Sequence, residues 1–212
     1  MVIKEKIQQQ AIALFSDRGF STVTMRQIAE ALNISPGNLT YHYKSKSDLI
    51  AVIYQRMHEE AKDYIVTEGY ITLYHFEQMM EKYYQLTQRY KFFFNDVVHI
   101  TRQFPKVGKM YEESNLLRFE QGKKLIDYYV ASGRMKPASA LIDYDKLVHN
   151  IWMISAFWSS QEQVIPSSNY STNKTTPVNM VMQLLIPHLT EKGLEEYQQI
   201  KQFTQNTNVS SK

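Results

Sequence analysis

Three helix-start signals lie close together near the beginning of this 212-residue chain. Residues 24–27 read T-x-x-Q, which is the pattern of a capping box, residues 35–36 are Ser-Pro, and residues 45–48 read S-x-x-D. The signals predict short helices at about 25–32 and 36–43, followed by a long helix from about residue 46. Helices of seven or eight residues are unstable alone in water, so neighbouring elements must hold both short helices in place.

The link between the two short helices favours a tight turn. Asn33 tolerates the left-handed backbone conformation that such a turn needs, and the small Ala29 lets two helices approach closely. The residues expected to face inward together are Ile28, Ala29, Leu32, Ile34 and Leu39. This spacing is typical of a helix-turn-helix, in which the second short helix projects its other side into the major groove of DNA.

The outward side of that second helix supplies most of the candidate DNA contacts. Asn38 is expected to pair with an adenine edge, Thr40 to offer a hydroxyl or a methyl, and Arg26 to reach guanine or phosphate. Tyr41, Lys44 and Lys46 are expected to contact phosphates. The complete set of predicted DNA-binding residues is Arg26, Gln27, Ser35, Pro36, Gly37, Asn38, Thr40, Tyr41, His42, Lys44 and Lys46.

The rest of the chain is also predicted to be helical, which makes the fold all-α. Helical spacing of apolar residues and the positions of Gly and Pro predict helices over 3–18, 48–66, 72–90, 90–104, 105–132 and 143–165. A polar loop at 166–177 precedes a further apolar helix, which Pro187 should kink or end.

Composition sets limits on the function. The net charge is +3, and residues 1–50 contain six Lys and Arg against four Asp and Glu, so the case for DNA depends on geometry more than on charge. Cysteine is absent, which excludes disulfides, thiolate nucleophiles and thiolate metal sites. The N-terminus lacks the apolar run of a signal peptide, and no segment approaches the ~20 apolar residues of a membrane span. A cytoplasmic protein without membrane contact is expected.

Aromatic and methionine residues are abundant from residue 79 to residue 158. Apolar pockets with a few polar groups suit apolar or aromatic ligands, although each such residue is more often plain core. The candidate pocket residues are Met79, Tyr83, Phe93, Phe94, His99, Tyr111, Trp152 and Phe157. Histidines are scattered and neighbouring acidic residues diverge on a helix, so we predict no catalytic residues, no metal site and no cofactor.

The run TVTMRQIAEALNISPGNLTYHYKSKSDL resembles the N-terminal DNA-binding domain of the TetR family of bacterial regulators. Thr40 and Tyr43 depart from the family pattern, where an aromatic residue and phenylalanine are usual. Residues that match the pattern are Thr24, Ile28, Ala29, Ala31, Asn33, Ile34, Ser35, Gly37, Leu39, His42, Ser45, Lys46 and Leu49.

This resemblance implies a domain organisation. Residues 1–48 would form the DNA-binding domain, 49–205 a helical regulatory and dimerisation domain, and 206–212 a disordered tail. The segments LVHNIWMISAFWSSQEQV and NMVMQLLIPHL resemble the final helix pair through which such proteins form homodimers. The implied interface residues are Trp158, Gln161, Val181, Leu184, Leu185 and His188.

The sequence thus predicts a bacterial transcriptional regulator, most simply a repressor, that binds double-stranded DNA as a homodimer. A small apolar or aromatic effector would release it from a palindromic operator. The alternative function is that of a ligand-independent helical DNA-binding or architectural protein. Such a protein would have a filled core, and small molecules would not change its affinity for DNA. A helical enzyme would require converging titratable groups, and the sequence offers none.

Overall fold

A computed structural model describes residues 2–66, 69–166 and 175–209, with side chains up to residue 203. Those ranges contain no strand, only two isolated β-bridges, and the predicted all-α fold is confirmed. The α-helices are α1 Ile3–Arg18, α2 Met25–Ala31, α3 Pro36–His42, α4 Lys46–Ala61, α5 Leu73–Arg89, α6 Lys91–Asn95, α7 Val97–Gln103, α8 Pro105–Ala131, α9 Tyr144–Val164, α10 Pro177–Leu185 and α11 Glu191–Val209.

Packing divides the chain into two compact units. The first unit consists of Met1–Asp63 and Leu86–Asn115, and the second of Tyr64–Gln85 and Leu116–Lys212. Residues 86–115 therefore pack with the helix-turn-helix segment, although the predicted functional domains separate them from it. The boundaries at residues 48 and 205 separate regions by their expected roles, not by packing, and they stay a prediction.

The core of the first unit is apolar and aromatic. Ile7 and Ala11 on α1 are fully buried, and Phe15 lies edge-on to Phe20, with ring centroids 4.9 Å apart. Gly19 ends α1 with a φ of 86°, a backbone conformation that favours glycine. The chain then turns so that Phe20 can return to the core that α1 began.

Two predicted helices of the first unit have different limits in the structure. α4 ends at Ala61 instead of residue 66, and the predicted helix over 90–104 is two short helices that meet at Asp96. Phe92, Phe93 and Phe94 are all buried although α6 spreads them by roughly 100° per residue around its axis, so this short helix is enclosed on several sides. The helix breaks at Asp96, whose backbone has a φ of −114° and a ψ of 21° and is not helical.

The second unit buries a cluster of residues from α5, α8, α9 and α10. Asp143 caps α9 as predicted, accepting hydrogen bonds from the backbone of Asp145 and Lys146, and α10 ends before a short 3-10 helix that contains Pro187. α11 continues to Val209, past the predicted end near residue 205. Residues 167–174 of the predicted polar loop and 210–212 of the predicted tail lie outside the described residues.

A buried ion pair in the second unit links α11 to the segment after α8. Arg134 is 2% exposed, and its Nε donates to Glu196 at 2.6 Å while one terminal nitrogen donates to the Tyr70 hydroxyl at 2.9 Å. The other oxygen of Glu196 accepts from the backbone N–H of Leu73 at 2.8 Å. Gly193 allows this approach, because a Cβ there would collide with the carbonyl oxygen of Arg134.

No helix within the described ranges is both long enough and apolar enough to cross a bilayer.

Candidate nucleic-acid interface

Local hydrogen bonds fix both ends of α2. Thr24 and Gln27 form the predicted capping box: the Thr24 hydroxyl accepts from the N–H of Gln27 at 3.3 Å, and the Gln27 side chain accepts from the N–H of Thr24 at 2.8 Å. At the other end Asn33 has a φ of 54°, and the N–H of Ile34 bonds to the carbonyl of Ala29 at 3.0 Å. This is a Schellman ending with asparagine in the position that glycine usually takes. The turn into α3 is therefore held by its own backbone.

The start of α3 is fixed in the same way. The Ser35 hydroxyl accepts from the N–H of Asn38 at 3.1 Å, and Pro36 occupies the first position of the helix. Leu39 is fully buried on the inward side, while 36–38, 40 and 41 are exposed. Because a seven-residue helix has no stability of its own, the capped ends and the single buried leucine determine which side faces outward.

The exposed side of α3 carries two polar groups that are free to bind DNA and one that is already hydrogen-bonded within the helix. The Asn38 amide makes no hydrogen bond within the described residues, and Tyr41 is 85% exposed with its ring against His42. The Thr40 hydroxyl donates to the carbonyls of Pro36 and Gly37 at 3.0 and 3.1 Å. Thr40 therefore has no proton left for a base and offers only its methyl group and an acceptor.

Gln27 and Ser35 differ from the other predicted contacts. Their side-chain oxygens serve as caps, which leaves the amide NH2 of Gln27 and the hydroxyl proton of Ser35 for any external partner. Lys44 is exposed and makes no ion pair in the described part of the chain, so its ammonium group is free for a phosphate.

Lys46 does not lie with these exposed residues. Its Nζ donates to the carbonyls of Phe20 and Val23 at 2.5 and 2.7 Å and lies 4.1 Å from the centroid of the Phe20 ring. Partial burial lowers the pKa of the Lys46 ammonium. The expected phosphate contact is contradicted by this geometry, because the side chain turns inward and ties the loop between α1 and α2 to the first turn of α4.

Arg26 is exposed, but it has an intramolecular partner. Its Nε bonds to Glu30 at 2.8 Å, one helical turn further along α2, and the two side chains are 79% and 57% exposed. An exposed pair of this kind contributes about 0–1 kcal/mol, so a phosphate or a guanine can displace Glu30. Glu30 then competes with DNA for the guanidinium group.

The variant Glu30→Gln should bind DNA more tightly, by about two- to fivefold at low salt, because it frees Arg26 and removes a negative charge beside the phosphates. Fluorescence anisotropy with a labelled operator duplex would measure the change. Glu59 in the last turn of α4 forms a similar exposed pair with Lys62, which follows the helix, so Glu59→Gln is the matched control and should leave affinity unchanged. Equal or weaker binding by Glu30→Gln would contradict the competition.

A contact that the sequence analysis missed holds the far end of α3. Tyr43 is 5% exposed, and its hydroxyl accepts from the side-chain amide of Gln8 on α1 at 2.8 Å. The amide oxygen of Gln8 in turn accepts from Arg56 on α4 at 3.3 Å. A buried glutamine on the apolar side of α1 was the available signal, since a buried amide needs a hydrogen-bonding partner.

Two sequence models of known families match consecutive parts of this chain. One, described as bacterial regulatory proteins of the tetR family, matches residues 7–53, and the other, described as a bacterial transcriptional repressor, matches residues 54–197. The chain belongs to the TetR family of bacterial transcriptional regulators.

Relatives with a known role are transcriptional repressors of a biofilm operon. The icaADBC negative regulator IcaR of Staphylococcus epidermidis is 34% identical over 64 residues, which are 30% of this chain and 32% of that protein. IcaR of Staphylococcus aureus strain Newman is 26% identical over 159 residues, 63% of this chain and 83% of that protein. The first alignment thus spans about a third of its relative.

Solved structures of the same family share the fold. A TetR-family regulator from Marinobacter aquaeolei VT8 superimposes with a TM-score of 0.84 at 23% identity, covering 96% of this chain and 99% of that one. At this level of identity the likeness concerns architecture alone, and it includes both compact units.

The predicted pocket residues of this regulator fall into both units. In the first unit the ring centroid of Phe93 lies 5.6 Å from those of Phe94 and Tyr111. In the second unit the ring centroids of Trp152 and Phe157 are 5.7 Å apart. Met79 is buried in the core of the second unit, and Tyr83 is half-buried in the same unit. His99 is exposed on α7, and its place in an effector pocket stays a prediction.

The predicted dimer residues divide between buried and accessible positions. Val181 and Leu185 on α10 are 0% and 2% exposed, and Trp158 on α9 is also buried, so all three belong to the core of a single chain. Asn179 and Gln183 lie one turn apart on the exposed side of α10, and the side opposite them, which carries Val181 and Leu185, packs into the core of the second unit. Gln161 is exposed, and Leu184 and His188 are half-buried.

Proposed function

We propose that this TetR-family regulator represses transcription by binding a two-fold symmetric operator as a homodimer, and that a small apolar or aromatic effector releases it. It acts in the bacterial cytoplasm by binding, without catalysis. The observation that carries the proposal is the outward side of α3, which is exposed from Pro36 to Tyr41 while Leu39 and both helix ends are fixed. The role of the IcaR relatives as negative regulators supports repression over activation.

Two-fold symmetry is proposed because one short helix reads only a few base pairs. Exposed apolar side chains on α9 and α10 support association of two copies: Met153 is 46% exposed, Val164 80% and Met180 41%. These residues lie on the helices that also carry Gln161 and Leu184, the predicted interface residues that remain accessible.

Release by an effector is proposed from the aromatic clusters around Phe93 and Trp152. An effector weakens DNA binding only to the extent that it prefers a conformation in which α3 is misplaced. The alternative, a DNA-binding protein without an effector, would keep a constant affinity for its operator in the presence of a panel of small aromatic and alkyl compounds.

Selection of genomic fragments by the purified protein tests the DNA-binding proposal. We expect recovered fragments to share a palindrome, and Lys44→Ala to weaken binding to them while lowering the slope of log affinity against log salt by about 1. Tyr41→Ala should weaken binding with little change of slope, since its ring is uncharged. Recovery of no common sequence would contradict the proposal.

A further inference from the structure

Six of the seven glycines are explained by the fold of the chain itself. Three have a positive φ, which disfavours other residues: Gly19, Gly69 and Gly133. At three others a Cβ would lie at 3.1 Å or less from another residue: Gly108, Gly122 and Gly193. Gly37, the remaining one, has neither feature.

The fold leaves open space at Gly37. Its φ is not positive, and the nearest heavy atom to an added Cβ would be the Ser35 hydroxyl oxygen at 3.8 Å, an ordinary van der Waals distance. Glycine within a helix is less favourable than alanine because it loses more backbone freedom on folding. Nothing in the described chain compensates for that loss, so the reason for a missing side chain lies outside the chain.

Gly37 lies on the outward side of α3, beside Thr40 and Tyr41, which are three and four residues further along and share its face. Because Gly37 has no side chain, the space that a Cβ would occupy on this side is open, and we refer to that space as the recess at Gly37. α3 itself reads PGNLTYH and contributes no lysine or arginine beside the recess. The proton of the Thr40 hydroxyl is bonded within the helix, so Thr40 presents no donor there.

We propose that this recess at Gly37 receives the C5-methyl group of a thymine in the major groove, so that each half-site of the operator contains an A·T pair at that position. The inference rests on the proposed DNA-binding function. Thymine carries the apolar group that projects into the major groove, whereas guanine is read mainly by lysine or arginine, which α3 lacks. Gly37 is thus a specificity-determining residue that acts through the absence of a side chain.

The test compares wild type and Gly37→Ala on the fragment recovered by genomic selection and on duplexes in which each thymine in turn is replaced by deoxyuridine. Deoxyuridine lacks the methyl group but keeps every hydrogen-bonding group of thymine. For wild type we expect one thymine in each half-site whose replacement lowers affinity about fourfold, as the burial of one methyl group predicts.

Gly37→Ala should fold with an unfolding temperature equal to or above that of wild type, since its Cβ meets no close neighbour. It should bind the unmodified fragment at least about tenfold more weakly and should no longer distinguish thymine from deoxyuridine at that position. Asn38→Ala is the matched control on the same helix: it keeps the recess, so it should retain the fourfold difference even if its overall affinity falls.

Wild-type affinity in Gly37→Ala, or a deoxyuridine penalty that persists in Gly37→Ala, would overturn the inference while leaving DNA binding intact. The inference would also be overturned if no replacement of a thymine by deoxyuridine changed the affinity of the wild-type protein. Failure to recover any specific fragment would instead overturn the proposed function, and this inference with it.

Discussion

Replacement of Lys46 by methionine should weaken operator binding at least about tenfold while leaving the salt dependence of that binding unchanged. The Nζ of Lys46 supplies a donor to the carbonyls of both Phe20 and Val23, and a partly buried carbonyl without a donor costs about 1–3 kcal/mol. The loop that contains these carbonyls leads directly into Thr24, the cap of α2. A looser loop displaces the whole helix-turn-helix, whereas no contact with phosphate is lost.

The slope of log affinity against log salt separates this role from a phosphate contact. Lys44→Met is the matched control, because Lys44 is exposed and free of ion pairs in the described residues; its loss should lower the slope by about 1. Lys46→Met should also lower the free energy of unfolding, which Lys44→Met should not. If Lys46→Met lowered the slope as much as Lys44→Met and left stability unchanged, Lys46 would be a phosphate ligand after all.

The largest loss of stability is expected from Arg134→Met, at about 3–5 kcal/mol in the free energy of unfolding measured by urea denaturation. Removal of Arg134 leaves the charge of Glu196, whose side chain is only 19% exposed, without its cation, which costs far more than an exposed pair is worth. The Tyr70 hydroxyl also loses its donor. A change below about 1 kcal/mol would contradict this account of the buried pair.

Two further variants define the origin of that loss. The double variant Arg134→Met with Glu196→Leu should recover part of the stability, because it removes the isolated charge, but not all of it, because the N–H of Leu73 then lacks an acceptor. Lys123 and Asp145 form an exposed ion pair in the same unit, with side chains 54% and 70% exposed, so Lys123→Met should cost less than about 1 kcal/mol.

The parts of the fold and of the site that the sequence predicted correctly depend on local contacts. The capping box of Thr24 and Gln27, the Ser35 cap and the left-handed Asn33 each involve residues no more than five apart. Their physical chemistry is therefore complete within a short window of sequence. Together they determine where α2 and α3 begin and end, and with the buried Leu39 they determine the outward side of α3.

The errors involve contacts between residues far apart in the chain. Lys46 reads as a free cation at a helix start, yet its partners lie 26 and 23 residues earlier. Val181 and Leu185 were predicted to lie in the dimer interface, but they pack against residues of α5, α8 and α9 in the core of their own unit.

The hydrogen bond between Tyr43 and Gln8 has a consequence for protein engineering. Transplanting the recognition segment of this chain into another regulator carries Tyr43 with it but leaves its amide partner behind on α1. In a host with an apolar residue at the position of Gln8, the phenol would be buried without its nearest partner, and the graft would be strained at the end of the helix that has to be rigid. Positions 8 and 43 thus form one exchangeable module and should be moved together.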